Sequence, residues 1–228
     1  MPETIYYVGG SKGGVGKSMV ASALIDHLQL HGKIPVLIEA DTANPDVLKA
    51  YDKEVASECL DLDNANGWID LLNFIDTNKD KTIVINTPAR NNVGVQLYGQ
   101  TLTASLVELE RPLEVFWVIN RQRDSMELLK EFMEVMKGAH IHVIRNLHHG
   151  QEKQFELFNT SKLKQQIEKE WAGKSLNFPD LADRVADDLN GRRMTIAKGV
   201  TALPLGNRAE LQRWRREVTK VFGEVVSG

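Results

Sequence analysis

Gly9-Gly10-Ser11-Lys12-Gly13-Gly14-Val15-Gly16-Lys17-Ser18 is the stretch whose reading decides the fold. It follows a short β-rich run, Thr4–Val8. It opens a segment, Ser18–Leu30, in which Val20, Ala21, Leu24, Ile25 and Leu28 share one helical face. Strand, glycine loop and helix form the context that a phosphate-binding loop requires. Glycines let successive N–H groups turn inward around an anion, and the helix adds its positive N-terminal end. Lys17 is then placed to reach β- and γ-phosphates, and the Ser18 hydroxyl to ligate Mg²⁺. A glycine-rich turn without a ligand is the bland alternative. It is the weaker one, because Gly16-Lys17-Ser18 meets three separate requirements in the right place. The loop departs from the common G-x-x-x-x-G-K-S/T spacing at its first glycine, where Ser11 stands, and it carries an extra lysine, Lys12.

Outward from the loop, strand and helix patterns alternate. Buried strands are expected at Pro35–Ala40, Thr82–Ile85, Leu113–Ile119 and Ile141–Ile144, with short ones at Ala56–Leu60 and Thr201–Leu205. Helices are expected at Trp68–Ile75, Val93–Leu109, Ser125–Lys137, Glu152–Trp171 and Leu181–Leu189. In the C-terminal helix Asn207 serves as cap and Glu210 completes a capping box. Leu211, Trp214, Val218, Val221, Phe222 and Val225 form one stripe on that helix. Apolar strands alternating with amphipathic helices imply an α/β fold: one doubly wound, mainly parallel sheet with helices on both faces. With no linker or repeat visible, residues 1–228 read as one domain with a basic helical region at about 189–226.

Composition narrows the classes. The chain has 228 residues, 42% of them apolar and 26% charged, which excludes disordered and low-complexity folds. No apolar run approaches the ~18 residues of a membrane helix, and Met1-Pro2-Glu3-Thr4 does not look like a secretory leader. The single cysteine, Cys59, excludes an intrachain disulfide and a cysteine-pair metal site; a cytoplasmic protein is expected. The net charge of −3 hides an asymmetry. Glu39–Asp80 holds 11 acids and 3 bases, a net of −8, whereas Leu189–Lys220 holds 8 bases and 2 acids, a net of +6.

Lys12-Gly13-Gly14-Val15-Gly16-Lys17-Ser18 resembles the deviant phosphate loop of the ParA/MinD family of ATPases. Further motifs extend the resemblance over residues 4–146. Glu39-Ala40-Asp41 falls where that family has its first switch, Ile85-Asn86-Thr87-Pro88-Ala89 resembles the second, and Val143-Ile144-Arg145-Asn146 resembles the strand that ends beside adenine. The resemblance implies a P-loop NTPase fold that binds ATP and Mg²⁺ and closes a homodimer on ATP. Lys12 would reach the partner's phosphates, Lys17 hold the nucleotide and Asp41 orient the attacking water. Ser11, Gly13, Gly14, Val15, Gly16, Ser18 and Met19 would line the nucleotide, with Asn146 and Pro204 beside the base. Ser18 would contact the ion directly, and Asp41 and Asn86 through water. The output implied is positioning or partitioning of DNA or another cargo, on the bacterial nucleoid, with a ParB-like or other activating protein.

Departures bear on activity. Asn86 stands where the family has an aspartate; it keeps a hydrogen bond but removes a charge near a hard cation. Weak Mg²⁺ binding and slow hydrolysis follow as expectations, with Glu39 a candidate to supply a carboxylate near the ion. Met19 replaces a second threonine. Nonspecific DNA binding through Arg192, Arg193, Arg213, Arg216 and Lys220 suits the +6 segment better than a membrane helix does; solvated charge is the bland alternative. His148-His149 and Arg90 read as loop polarity, and Asp41 taken alone as a cap. Cysteine-dependent relatives of the loop class are excluded, as are the tyrosine kinases, because the last tyrosine is Tyr98. Two other functions stay open: an ATP-dependent enzyme activating a small carboxylic acid, of the dethiobiotin synthetase type, and a nucleotide-binding scaffold without hydrolysis.

Overall fold

The computed structural model describes residues 3–10, 13–89 and 92–226. In chain order the elements begin with β1 (Ile5–Gly10), α1 (Lys17–Leu30), β2 (Pro35–Glu39), α2 (Asp46–Tyr51), β3 (Ser57–Cys59) and α3 (Ala65–Thr77). Then come β4 (Thr82–Asn86), α4 (Asn92–Leu109), β5 (Leu113–Ile119), α5 (Asp124–Val135) and β6 (His140–Asn146). Two short 3₁₀ turns, α6 (Glu156–Asn159), α7 (Lys162–Glu170), β7 (Ser175–Phe178), α8 (Asp183–Gly191), α9 (Ile196–Ala202) and α10 (Leu205–Phe222) complete the chain.

The strands form one seven-stranded sheet in the order β3-β2-β4-β1-β5-β6-β7, and every pairing is parallel. Alternation along β1 divides the core. Ile5 and Tyr7 face a cluster with Trp68 and Leu71 of α3, Leu102 of α4, and Leu129 and Phe132 of α5. Tyr6 and Val8 face a second cluster with Leu24 and Leu28 of α1 and Leu211, Trp214 and Phe222 of α10. Burying each such side chain contributes about 1.5–3 kcal/mol, so the two clusters together clamp the sheet between its helices. Arg111 fastens one corner: its guanidinium donates to the carbonyls of Ile75 and Asn78 at the end of α3, and Nε donates to Glu3.

Three expectations for the C-terminal third are corrected. The seventh strand is Ser175–Phe178, not Thr201–Leu205, which spans the end of α9 and the start of α10. The apolar run in Thr201–Leu205 looks strand-like because Leu203 packs into the core from a loop. The capping box is absent from α10, which begins at Leu205 with Pro204 at its cap. Asn207 instead donates Nδ2 to Asp188 of α8, and Glu210 pairs with Arg213. The expected helix Glu152–Trp171 is broken into a 3₁₀ turn, α6 and α7, with Ser161 capping the last.

The stripe on α10 is core. Leu211, Trp214, Val218 and Phe222 are all buried, and Arg215 clasps the buried Asp26 of α1 with two bonds of 2.6 and 2.7 Å. Among the described residues, no helix is long and apolar enough to cross a membrane.

His27 of α1 is buried between the rings of His31 and Phe222. Burial, with the neighbouring His31, lowers its pKa from 6.5 to about 4. The unfolded chain therefore binds a proton that the folded chain refuses. Stability falls as pH drops below about 6.5 and levels off below about 4. Between pH 7 and pH 5 this costs roughly 1–2 kcal/mol. His27→Phe should flatten that part of the stability–pH curve in urea titrations; parallel curves for the two proteins would refute it.

Candidate functional site

Parallel strands place their carboxyl ends on one edge of the sheet, and the crevice there opens between β1 and β4, whose onward connections to β2 and to β5 run in opposite directions. The loop after β1 lies in that crevice. Gly14 and Gly16 have positive φ, +76° and +102°, and Gly16 forms the start of α1. Any Cβ at Gly16 would also stand 2.4 Å from Asn146 Nδ2, so the position excludes side chains on two independent grounds. Val15 anchors the loop in the core, and Asn146, the last residue of β6, donates Nδ2 to the Val15 carbonyl at 2.8 Å. The Asn146 Oδ1 accepts from His148 N–H. His149 lies against the backbone of Gly14 and Val15, and burial holds its pKa below the ordinary value.

A groove of about 520 Å³ runs past the loop. Gly13, Gly14, Gly16, Lys17 and Ser18 line it, together with Asp41, Thr87 and Ala89. Lys17 is 7% exposed, and burial lowers its pKa to about 8 against the pull of Asp41. Desolvation of this kind strengthens the attraction of an ammonium for an arriving anion. Thr87 donates to the Val8 carbonyl, which ties the end of β4 to β1. Asp41 Oδ1 accepts from Asn44 N–H in the turn that precedes α2; it does not cap that helix, whose cap position is Pro45, and its side chain borders the groove.

Beneath Asp41 lies Glu39, fully buried, bonded to Asn86 Nδ2 and to the N–H groups of Asp41 and Leu48. Burial raises its pKa to about 7, against the lowering effect of those three bonds. Asn86 Oδ1 is buried and has no hydrogen-bond partner among the described residues. The donor set suits a hard cation held mainly by nucleotide oxygens. Ser18 offers one hydroxyl, Asp41 one carboxylate and Asn86 a spare acceptor, while no group of three metal-ligating side chains occurs among the described residues.

A second groove shares Gly14, Gly16 and Met19 with the first, so the two adjoin at the loop. Asn146, Phe178, Pro179, Asp180 and Trp214 line it, and Trp214 Nε1 donates to the Pro179 carbonyl. The proline beside Asn146 is therefore Pro179. Pro204 lines neither groove and caps α10 instead. The sequence signal for Pro179 was an aromatic–proline pair after a four-residue strand too short to show a period. Ser11, Lys12 and Arg90 lie outside the described residues.

The basic residues divide. Arg213 is held by Glu210 and Glu217 on its own helix, and Arg193, with φ +48°, borders the first groove. Arg192, Arg216 and Lys220 are exposed.

Gly16→Ala should weaken binding of ADP at least about tenfold in a fluorescent-nucleotide titration, because the Cβ displaces the loop or Asn146. Unchanged affinity would separate this loop from nucleotide binding.

No protein-family model matches the chain. It is 54% identical over 226 residues to a curated relative, protein MobD of Acidithiobacillus ferrooxidans, covering 99% of each chain. Among solved structures, the MinD cell division protein of Aquifex aeolicus matches with a TM-score of 0.58, at 15% identity and 98% of each chain. A nucleotide-binding protein of Archaeoglobus fulgidus in complex with ADP matches with a TM-score of 0.51, at 15% identity, over 88% of this chain and 92% of the other. At these identities the structural likenesses establish the P-loop NTPase fold.

Proposed function

The chain belongs to the MobD family, and from its MinD-like fold and the chemistry of its two grooves we propose that it is an ATP-driven switch. The observation that carries the reading is the anion cradle of Gly13–Ser18, with buried Lys17 facing Asp41 across one groove. The triphosphate lies on the loop N–H groups and Lys17, and the base enters the second groove against Asn146, Phe178 and Pro179. Mg²⁺ bound with ATP supplies charge neutralisation at the β- and γ-phosphates. Ser18 Oγ is the hydroxyl placed to ligate it, with Asp41 and Asn86 acting through water.

Asp41 orients the attacking water. Its own orientation comes from the Asn44 N–H that its carboxylate accepts and from Glu39, which accepts the Asp41 N–H below it. The neutral amide of Asn86 leaves the site one charge short at β4, which favours slow turnover. Slow hydrolysis suits a timer, in which the γ-phosphate holds the Asp41 and Thr87–Ala89 segments in one arrangement until it leaves. Lys12 acts in trans, so ATP closes a homodimer. The exposed Arg192, Arg216 and Lys220 give it a weak, nonspecific hold on DNA, and its output is partition or positioning of DNA or another cargo with an activating protein.

A second reading rests on the shape of the first groove. It continues beyond the loop between Ser22 of α1, Asp46, Val47 and Ala50 of α2, and Asn190, Arg193 and Met194. That is room for a small carboxylic acid phosphorylated by ATP.

Light scattering in Mg²⁺ with a non-hydrolysable ATP analogue should give a dimer for the wild type and a monomer for Lys12→Ala and for the ADP-bound protein. A mass indifferent to nucleotide would overturn the switch. Phosphate release accelerated manyfold by small carboxylic acids, without dimerisation, would establish the second reading. DNA retention should fall steeply between 50 and 200 mM salt, roughly as the power of the phosphates contacted.

A further inference from the structure

Glu39 and Asn86 are the last residues of β2 and β4, and they stand opposite one another in the register of the two strands. Both are sealed from solvent, at 0% and 1% exposure. Glu39 Oε1 accepts from Asn86 Nδ2 at 2.8 Å and from Asp41 N–H at 3.1 Å, and Oε2 accepts from Leu48 N–H at 3.3 Å. The carboxylate thereby fastens three pieces of the site: the end of β4, the Asp41 turn and the first turn of α2. Isolated buried charge is costly, and three converging N–H donors are the compensation this one receives.

The pairing fixes the orientation of the amide. Asn86 has one donating and one accepting end, and the accepting end cannot face an ionised Glu39. An ionised aspartate at position 86 has no donating end. It would set two buried carboxylates in hydrogen-bond contact, and like charges that close cannot both ionise without large cost. With Glu39 at the end of β2, asparagine is the residue that the end of β4 can accommodate.

We propose that Glu39 and Asn86 are one unit, in which the carboxyl group beneath the phosphate groove sits on β2 instead of β4 and Asn86 is the amide that holds it. Glu39 is then a positioning residue: it orients Asp41 and supports the cation from beneath, without touching the nucleotide. Asn86 is a matched partner of Glu39, not an aspartate lost. The half of this inference that concerns the cation rests on the nucleotide-binding reading above; the half that concerns the pair does not.

The two accounts of Asn86 give opposite results for N86D. If Asn86 only lacks a charge, aspartate restores it. If Asn86 holds Glu39, aspartate collides with it. Thermal unfolding of the full chain should be followed for wild type, N86D, E39Q and the exchanged double variant E39Q/N86D. Each is measured without ligand, with ADP plus a chelator, and with ADP plus Mg²⁺.

Without ligand, N86D and E39Q should each melt at least about 5 °C below wild type, and the double variant should melt well above the sum of the two losses. The extra shift that Mg²⁺ adds to ADP should be present in wild type and the double variant, and absent in E39Q. Additive losses, or a double variant that does not fold, would overturn the pair. An N86D protein as stable as wild type with a larger Mg²⁺ increment would do the same. A wild type that ADP does not stabilise at all would refute the nucleotide-binding reading, while the ligand-free comparison would still decide the pair.

Discussion

Everything at the candidate site depends on β1 being paired on both sides, to β4 through Ile5–Val8 and to β5 through Ile5–Gly10. A central parallel strand must be apolar on both faces, and Ile5, Tyr6, Tyr7 and Val8 satisfy that with at most 3% exposure. Gly9 and Gly10 continue the pairing although they bring no side chains. A Cβ on Gly9 would meet Tyr7 and Trp117, and one on Gly10 the Val118 carbonyl, so the strand ends inside a space only glycine can occupy. The loop therefore leaves the sheet from a rigid base with its direction already set.

That dependence explains what could be read in the sequence. The first half of the molecule is written locally: a β-rich run, a glycine loop with Lys17 and Ser18, and a helix of period 3.6. Each step constrains the next within a few residues. The same holds for Asp41, placed by the end of β2, and for Asn86 and Thr87, placed by the end of β4. The second half is written at a distance. β7 has only four residues, of which Leu176 and Phe178 are buried, and its identity as a strand comes from pairing with β6. Asn207 has the residue type of a helix cap, but its side chain is claimed by Asp188 nineteen residues away. Pro204 has a proline's local signature without the position that would matter; Pro179 has the position because Trp214 holds its carbonyl.

Charge gave the sequence its most misleading signal. Eight bases between Leu189 and Lys220 suggest a uniform positive surface, yet several have partners. Arg215 is bound to Asp26 within the fold, Arg213 to two glutamates of its own helix, and Lys198 to Glu54. An ion pair such as Arg213 with its glutamates contributes at most about 1 kcal/mol to stability, but it removes a cation from the potential felt by a distant phosphate. What is left of the basic face is smaller than the count implies. Part of it, Arg193, borders the first groove.

The two grooves together show why the C-terminal third matters to a site whose motifs lie in the first half. Met19 and two loop glycines border both grooves. The walls that make them grooves at all are the β7–α8 segment and the turn after α8, held down by α10. Asp26 to Arg215 ties that layer to α1, the helix that carries Ser18, so the layer and the loop share one rigid support. A nucleotide lying across Met19 would touch the loop at its phosphates and the far layer at its base. Its binding energy would then be spread over two parts of the sheet that the sequence separates by more than a hundred residues. The mobile element of such a switch must be sought on the other side, where Asp41 and Thr87 are anchored from beneath by the buried ends of β2 and β4. There a ligand's last phosphate would lie in the groove that Asp41, Thr87 and Ala89 help to line.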